Sequence, residues 1–201
     1  MSDSSQENPT SESLVDRKAF EGRRILIGVC GGIAAYKVAS VVSALAQSGA
    51  EVTVAMTESA TRFVTPLTFQ ALSGRSVFTS QWDQFEAADP QHVRLAADLD
   101  VALVAPCTMN SLARIAGGFA DDAVTAVLSA IDRNVTPVLL APSMNTEMWG
   151  QPATGRNLEL VKSDGYRVIE PGVGWQACRR SGAGRLPEPE MLLAAIAEVL
   201  G

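Results

Sequence analysis

Short, nearly pure apolar runs alternate along this chain with longer segments in which apolar residues return every three or four positions. The runs are Arg23 to Val29, Glu51 to Met56, Val101 to Ala105, Thr136 to Pro142 and Tyr166 to Pro171. Runs of this length, rich in β-branched residues and bounded by Gly, Pro or polar side chains, predict strands buried on both faces. Between them, a glycine turn at Cys30 enters a helix that runs to Ser48 and stops at Gly49. Further helices are predicted at Thr65 to Gly74, with Gly74 as its cap, at His92 to Ala97 and from Ser111. Asp121 to Ile131, Ala153 to Gly165 and Met191 to Leu200 complete the set. Strands alternating with helices at this spacing predict an α/β domain, a parallel sheet with helices on both faces. That single domain spans 21–201, and the polar, Ser- and Glu-rich residues 1–20 read as a disordered tail. Ser80 to Pro90 reads as a surface loop and Pro171 to Pro189 as a second, long one.

Composition narrows the function. A chain of 201 residues with 47% hydrophobic and 19% charged residues is long enough for one large core. A net charge of −6 leaves no basic footprint, which argues against nucleic acid as a partner. No apolar run reaches the ~20 residues that a membrane helix needs. The N-terminus lacks the basic start and apolar core of a secretory signal. Three cysteines without paired spacing indicate reduced thiols and a cytoplasmic setting.

Candidate chemistry gathers after the strands, where open α/β sheets bind ligands. GVCGGIAAYK puts Gly31, Gly32 and Ile33 at a helix N-terminus, fit for a phosphate or for a plain strand-to-helix turn. It lacks the third glycine of a dinucleotide fingerprint, and Glu51 starts the second strand instead of ending it. Thr57 and Ser59 offer hydroxyls that serve a phosphate or cap a helix. The turn Pro106 to Ser111 clusters Thr108, Met109, Asn110 and Ser111, with Asn110 or Ser111 as the expected cap. His92, the single histidine, is either a group titrating near neutrality or a satisfied structural residue. Asn145, in the loop from Ala141 to Gly150, is a carboxylate-binding amide or a turn residue. Met144, Met148 and Trp149 give that loop the bulk of a lid. Cys178 beside Arg179 and Arg180 has the surroundings of a reactive thiol, whereas Cys30 and Cys107 read as small buried hydrophobes. No Cys/His cluster offers a metal site. His92 and the two loops after the third and fourth strands are expected to share one pocket.

In this order the pieces resemble the flavin-dependent cysteine decarboxylases, over about Gly22 to Leu200 and most closely the branch acting in coenzyme A biosynthesis. GVCGGIAAYK resembles the family's first phosphate turn and AMTESATRFVTPLTFQALSG its second segment. HVRLAADLDVALVAP resembles the segment carrying the active-site histidine. PCTMNSLARIAGGFADD stands where the family has its flavin-binding Pro-Ala-Ser-Ala-Asn-Thr turn, with Met109-Asn110-Ser111 for Ala-Asn-Thr. PSMNTEMW agrees with the substrate motif Pro-x-Met-Asn-x-x-Met-Trp at every fixed position. QACRRSGAGR resembles the substrate clamp with its cysteine, except that Arg179 and Arg180 replace a glycine and an acidic residue.

The resemblance implies a three-layer, Rossmann-like (flavodoxin-like) fold, FMN as cofactor, and conversion of 4′-phosphopantothenoylcysteine to 4′-phosphopantetheine. It implies His92 as base and organiser, Asn145 as holder of the substrate carboxylate and Cys178 as proton donor. Gly31, Gly32, Ile33, Thr57, Ser59, Thr108, Met109, Asn110, Ser111 and Ser143 are the implied flavin contacts. Met144, Asn145, Ala177 and Arg179 are the implied substrate contacts. The pocket is expected between subunits of a homotrimer or dodecamer. A separate phosphopantothenoylcysteine synthetase is expected as well, since the chain stops at Gly201 without the fused synthetase domain of many bacterial relatives. A peptidyl-cysteine decarboxylase of the lantibiotic kind is the nearest rival reading, and a flavin prenyltransferase a more distant one. A non-catalytic flavin-binding regulator is the rival from another class. The joint presence of His92, Asn145 and Cys178 argues for an enzyme.

Overall fold

The computed structural model describes residues 17–82 and 90–201. Five parallel strands form the main sheet in the order β2-β1-β3-β4-β5: β1 (Arg24–Val29), β2 (Glu51–Met56), β3 (Val101–Cys107), β4 (Val138–Pro142) and β5 (Arg167–Val168). Eight helices accompany it among the described residues: α1 (Ala35–Gln47), α2 (Pro66–Ser73), α3 (Gln91–Ala96), α4 (Met109–Ala116), α5 (Ala123–Ser129), α6 (Thr146–Trp149), α7 (Pro152–Ser163) and α8 (Pro189–Leu200).

Because strand side chains alternate between faces, neighbouring residues serve two different cores. Ile25, Ile27 and Val29 join Val52, Val54, Leu103 and Ala141 beneath α1, α2 and α8. Leu26 joins Ala102, Val104 and Leu140 beneath α4, α5 and α7. A sheet covered on both faces requires strands that are apolar throughout, which is how β1 and β3 read in the sequence. At Gly28 a Cβ would meet Val124 Cγ1 at 3.0 Å and Val104 Cγ2 at 3.3 Å, so only glycine lets α5 lie this close.

The sheet order places a switch point between β1 and β3. From there the chain passes to β2 on one side and to β4 and β5 on the other. In open α/β sheets the crevice at the carboxyl ends of such a pair receives the ligand.

Five sequence expectations change in detail. The third strand does not end at Ala105; it runs on through a cis Ala105–Pro106 bond to Cys107. Pro106 lacks an N–H, and the register with β4 shifts between Val104 and Cys107 before pairing resumes at Cys107↔Pro142. The cap of α4 is accordingly Thr108, not Asn110 or Ser111; its hydroxyl accepts from Ser111 N at 3.2 Å. The loop Ala141 to Gly150 contains α6, capped by Asn145. The long loop Pro171 to Pro189 is in large part an antiparallel hairpin, β6 (Gly172–Trp175) with β7 (Ser181–Arg185). Its glycines argue against a strand by composition, and packing overrides that preference. Lastly, Arg17–Phe20 form a 3-10 turn and Phe20 is buried in the core, so the body begins upstream of residue 21. Residues 1–16, and the 83–89 part of the expected surface loop, lie outside the described residues.

Candidate active site

Three strand ends converge on one cavity of about 630 Å³, a size usual for small-molecule sites. After β1 come Gly31, Gly32, Ile33, Tyr36 and Lys37; after β3, Thr108 and Met109; after β4, Ser143, Met144, Asn145 and Met148. The hairpin closes the remaining side with Trp175, Gln176, Ala177, Cys178, Gly184 and Arg185, followed by Leu186. Apart from a few polar groups the wall is apolar, as a flat aromatic ring requires.

The glycine turn is shaped by its neighbours. A Cβ on Gly31 would lie 2.5 Å from Ser59 Cβ and 2.8 Å from the Ser59 carbonyl carbon. A Cβ on Gly32 would sit 3.4 Å from Thr108 Cγ2. Glycine at position 31 therefore lets the loops after β1 and β2 close on one another, while the loop after β3 lies in ordinary contact with Gly32. The N-termini of α1 and α4, whose first amides lack intrahelical acceptors, open on this junction. Small hydroxyl side chains, backbone amides and apolar walls make a donor set that fits the phosphate and ring of a flavin mononucleotide.

Opposite this cradle lies the second polar group. Asn145 Oδ1 accepts from Glu147 N at 2.8 Å, which caps α6 and fixes the amide's orientation. Its Nδ2 therefore faces the hairpin and donates to Cys178 Sγ at 3.1 Å. Cys178 is exposed at the hairpin tip, whereas Cys30 and Cys107 are buried. Burial pushes the Cys30 thiol up to about 12, and burial also raises the Cys107 thiol well above its ordinary value, so both stay protonated and unreactive. At the other end of the cavity Lys37 Nζ reaches both oxygens of Glu188 at 3.0 Å, and Arg185 pairs with the same carboxylate. Two cations against one carboxylate leave this wall net positive.

The expected site residues divide into two groups. Gly31, Gly32, Ile33, Thr108, Met109, Ser143, Met144, Asn145, Ala177 and Cys178 line the cavity. Thr57, Ser59, Asn110, Ser111 and Arg179 are not among its lining residues. The Thr57 hydroxyl accepts from Ala60 N at 3.3 Å, just ahead of a 3-10 turn, with Ser59 Oγ 3.2 Å away. Ser111 is buried against Thr108 Oγ1 at 3.0 Å. Arg179 occupies the turn of the hairpin at a φ of 62°, a left-handed position that favours glycine. His92 sits in the first turn of α3 and is not among the residues that line this cavity within one chain. Lys37, Gln176, Arg185 and Leu186 also line the cavity. Lys37 lies in GVCGGIAAYK, and Gln176 and Arg185 open and close QACRRSGAGR, whereas Leu186 reaches the cavity only because the hairpin folds.

The flavoprotein family model matches residues 15–201. The chain belongs to the flavoprotein family. This flavoprotein is 45% identical over 174 residues to the coenzyme A biosynthesis bifunctional protein CoaBC of Bacillus subtilis, covering 87% of this chain and 42% of the relative. To the protein of the same name from Mycolicibacterium smegmatis it is 46% identical, covering 84% of this chain and 39% of that one. The flavoprotein thus spans less than half the length of these relatives. Among solved structures it is similar to the FMN-dependent cysteine decarboxylase SpaF, with a TM-score of 0.77 and 32% identity over 90% of this chain and 98% of that one. It is also similar to a cysteine-to-serine mutant of PPC decarboxylase complexed with pantothenoylaminoethenethiol. There the TM-score is 0.79 and the identity 29%, over 88% of this chain and 97% of that one. Among the described residues no helix is long and apolar enough to cross a membrane.

Proposed function

We propose that this flavoprotein binds FMN and decarboxylates 4′-phosphopantothenoylcysteine to 4′-phosphopantetheine in coenzyme A biosynthesis. The observation that carries the reading is the Asn145–Cys178 pair, 3.1 Å apart across a cavity whose far wall is the three-loop cradle. What FMN supplies when bound is a reversible two-electron exchange with the thiol-bearing carbon, the electron sink that loss of carbon dioxide otherwise lacks. The protein's own groups do the rest. Asn145 presents only N–H hydrogens to the cavity because its oxygen is spent on capping α6, and N–H donors suit a substrate carboxylate. Cys178 stands beside that amide, placed to give a proton to the substrate carbon left by decarboxylation. Ile33, Met144, Met148 and Trp175 supply apolar wall beside the reacting atoms. Lys37 and Arg185 suit the charge of a phosphorylated substrate.

Homotrimer formation, or a dodecamer of trimers, belongs to the same reading. His92 is absent from the cavity of its own chain, while Tyr36 and Trp175 on the cavity rim are 60% and 65% exposed. A neighbouring copy packed on that rim would bury both and bring its own histidine to the site as base and organiser. The substrate would come from a phosphopantothenoylcysteine synthetase, and the site of action would be the cytoplasm. A peptidyl-cysteine substrate is the second reading, since the likeness to SpaF is to an FMN-dependent cysteine decarboxylase without reference to what carries the cysteine.

The test incubates purified protein with phosphopantothenoylcysteine and, separately, with a peptide ending in cysteine, and reads both by mass spectrometry. Loss of carbon dioxide from the first, with FMN released on denaturation, is the expected result. Cys178→Ser should accumulate the oxidised, decarboxylated enethiol in place of phosphopantetheine. Release of FAD, or turnover of the peptide alone, refutes the assignment.

A further inference from the structure

The hairpin that carries Cys178 stands apart from the main sheet: among the described residues β6 and β7 pair with each other and with no other strand. A lone two-stranded hairpin is marginal in water, so its attachment to the body decides where the thiol sits. Glycines allow that attachment. A Cβ on Gly184 would overlap Met144 O, and one on Gly182 would lie 2.9 Å from Thr146 Cγ2. The hairpin backbone therefore lies directly against the segment between β4 and α6, and Met144 N donates to Gly184 O at 2.9 Å.

One side chain ties these parts to the thiol. Gln176 Nε2 donates to Ala183 O at 2.8 Å and to Met144 O at 3.4 Å. Its Oε1 accepts from Thr146 N at 3.1 Å, from Thr146 Oγ1 at 3.2 Å and from Cys178 Sγ at 3.6 Å. The sulfur in turn accepts from Asn145 Nδ2. We propose that Gln176 is the positioning residue of the Cys178 thiol: its Oε1 takes the S–H hydrogen while Asn145 holds the sulfur, so that the thiol points along a set direction at the cavity mouth.

The proton-donor role of Cys178 rests on the function proposed above, but the placement by Gln176 does not depend on turnover. The two contacts differ in kind: the sulfur donates to Oε1 and accepts from Asn145 Nδ2. The charged groups around the tip are Arg179 and Arg180 on the hairpin turn, Arg185 on β7 and Glu147 on α6, the last 3.6 Å from Arg180. None of them changes when Gln176 is replaced.

The experiment follows iodoacetamide alkylation of Cys178 against pH in the FMN-loaded protein, with the adduct located by mass spectrometry; Cys30 and Cys107 are buried and do not compete. Gln176→Glu places a carboxylate beside the sulfur and should raise the alkylation midpoint by about one pH unit. Gln176→Met keeps the bulk, removes the acceptor and should lower the midpoint by a few tenths of a unit, roughly the loss of one weak hydrogen bond. The charge in Gln176→Glu raises the midpoint whatever the native role, so Gln176→Met decides: a merely structural glutamine would leave that midpoint at the parent's value or move it upward as well. Shifts of one sign, or curves that superimpose on the parent's, overturn the proposal. Since alkylation needs no substrate, these outcomes judge Gln176 whether or not the protein decarboxylates anything.

Discussion

Replacing Gly31 by alanine tests the cradle at its tightest point. The new methyl carbon would sit 2.5 Å from Ser59 Cβ and 2.8 Å from the Ser59 carbonyl carbon, well inside van der Waals contact. A flexible side chain would turn away, but here a backbone atom is among the neighbours, so the loops after β1 and β2 must part. Overpacking of this kind costs about 1–3 kcal/mol. If the strain is relieved by opening the phosphate cradle, that energy is lost from cofactor binding. At 1.4 kcal/mol per decade, FMN affinity should fall by roughly 5- to 150-fold. Apoprotein titrated with FMN, followed by quenching of flavin fluorescence, reads the change directly. Ser59→Gly in the same chain removes the closest side-chain contact and leaves the carbonyl carbon, so the double variant should recover part of the loss. An affinity for Gly31→Ala within twofold of the parent refutes the cradle as drawn. Full loss in the double variant would mean that Ser59 is not the obstacle.

Two other expectations follow from packing and charge. Phe20, 1% exposed, closes the core from outside the predicted domain boundary; Phe20→Ala should cost about 3–5 kcal/mol in urea unfolding, and a cost below about 1 kcal/mol would show that the Arg17–Phe20 turn does not dock. The hydrogen bond from Lys37 holds the Glu188 carboxyl below its ordinary range, so its contribution is complete above the unfolded carboxylate value of about 4.3 and fades as pH falls through the lowered folded value. Thermal midpoints of parent and Glu188→Gln should therefore differ at neutral pH and converge in acid, and profiles that stay parallel throughout would refute the pairing.

What the sequence determined by itself is the sheet and most of its chemistry. Strands buried on both faces have no polar positions to hide, so β1, β2 and β4 are legible as apolar runs, and Gly74 marks a helix end at a φ of 68° that few other residues accept. The glycine turn, the Thr108 segment and Asn145 are legible for a related reason: each lies directly after a strand, and in a parallel sheet strand ends meet. Tertiary structure decided the rest. Thr108 rather than Asn110 caps α4 because β3 continues past Pro106, which local preference does not reveal. The hairpin is hidden by its glycines, whose purpose is to let β7 lie against Met144 and Thr146, a contact between segments some forty positions apart. Gln176 and Arg185 belong to the legible QACRRSGAGR segment, but only that docking turns them toward the cavity. The sequence marks His92 as the single histidine, and the fold alone puts it on α3, outside the cavity lining within one chain. A side chain's neighbours across a surface are set by how whole elements pack, and the order of residues along the chain carries no record of that.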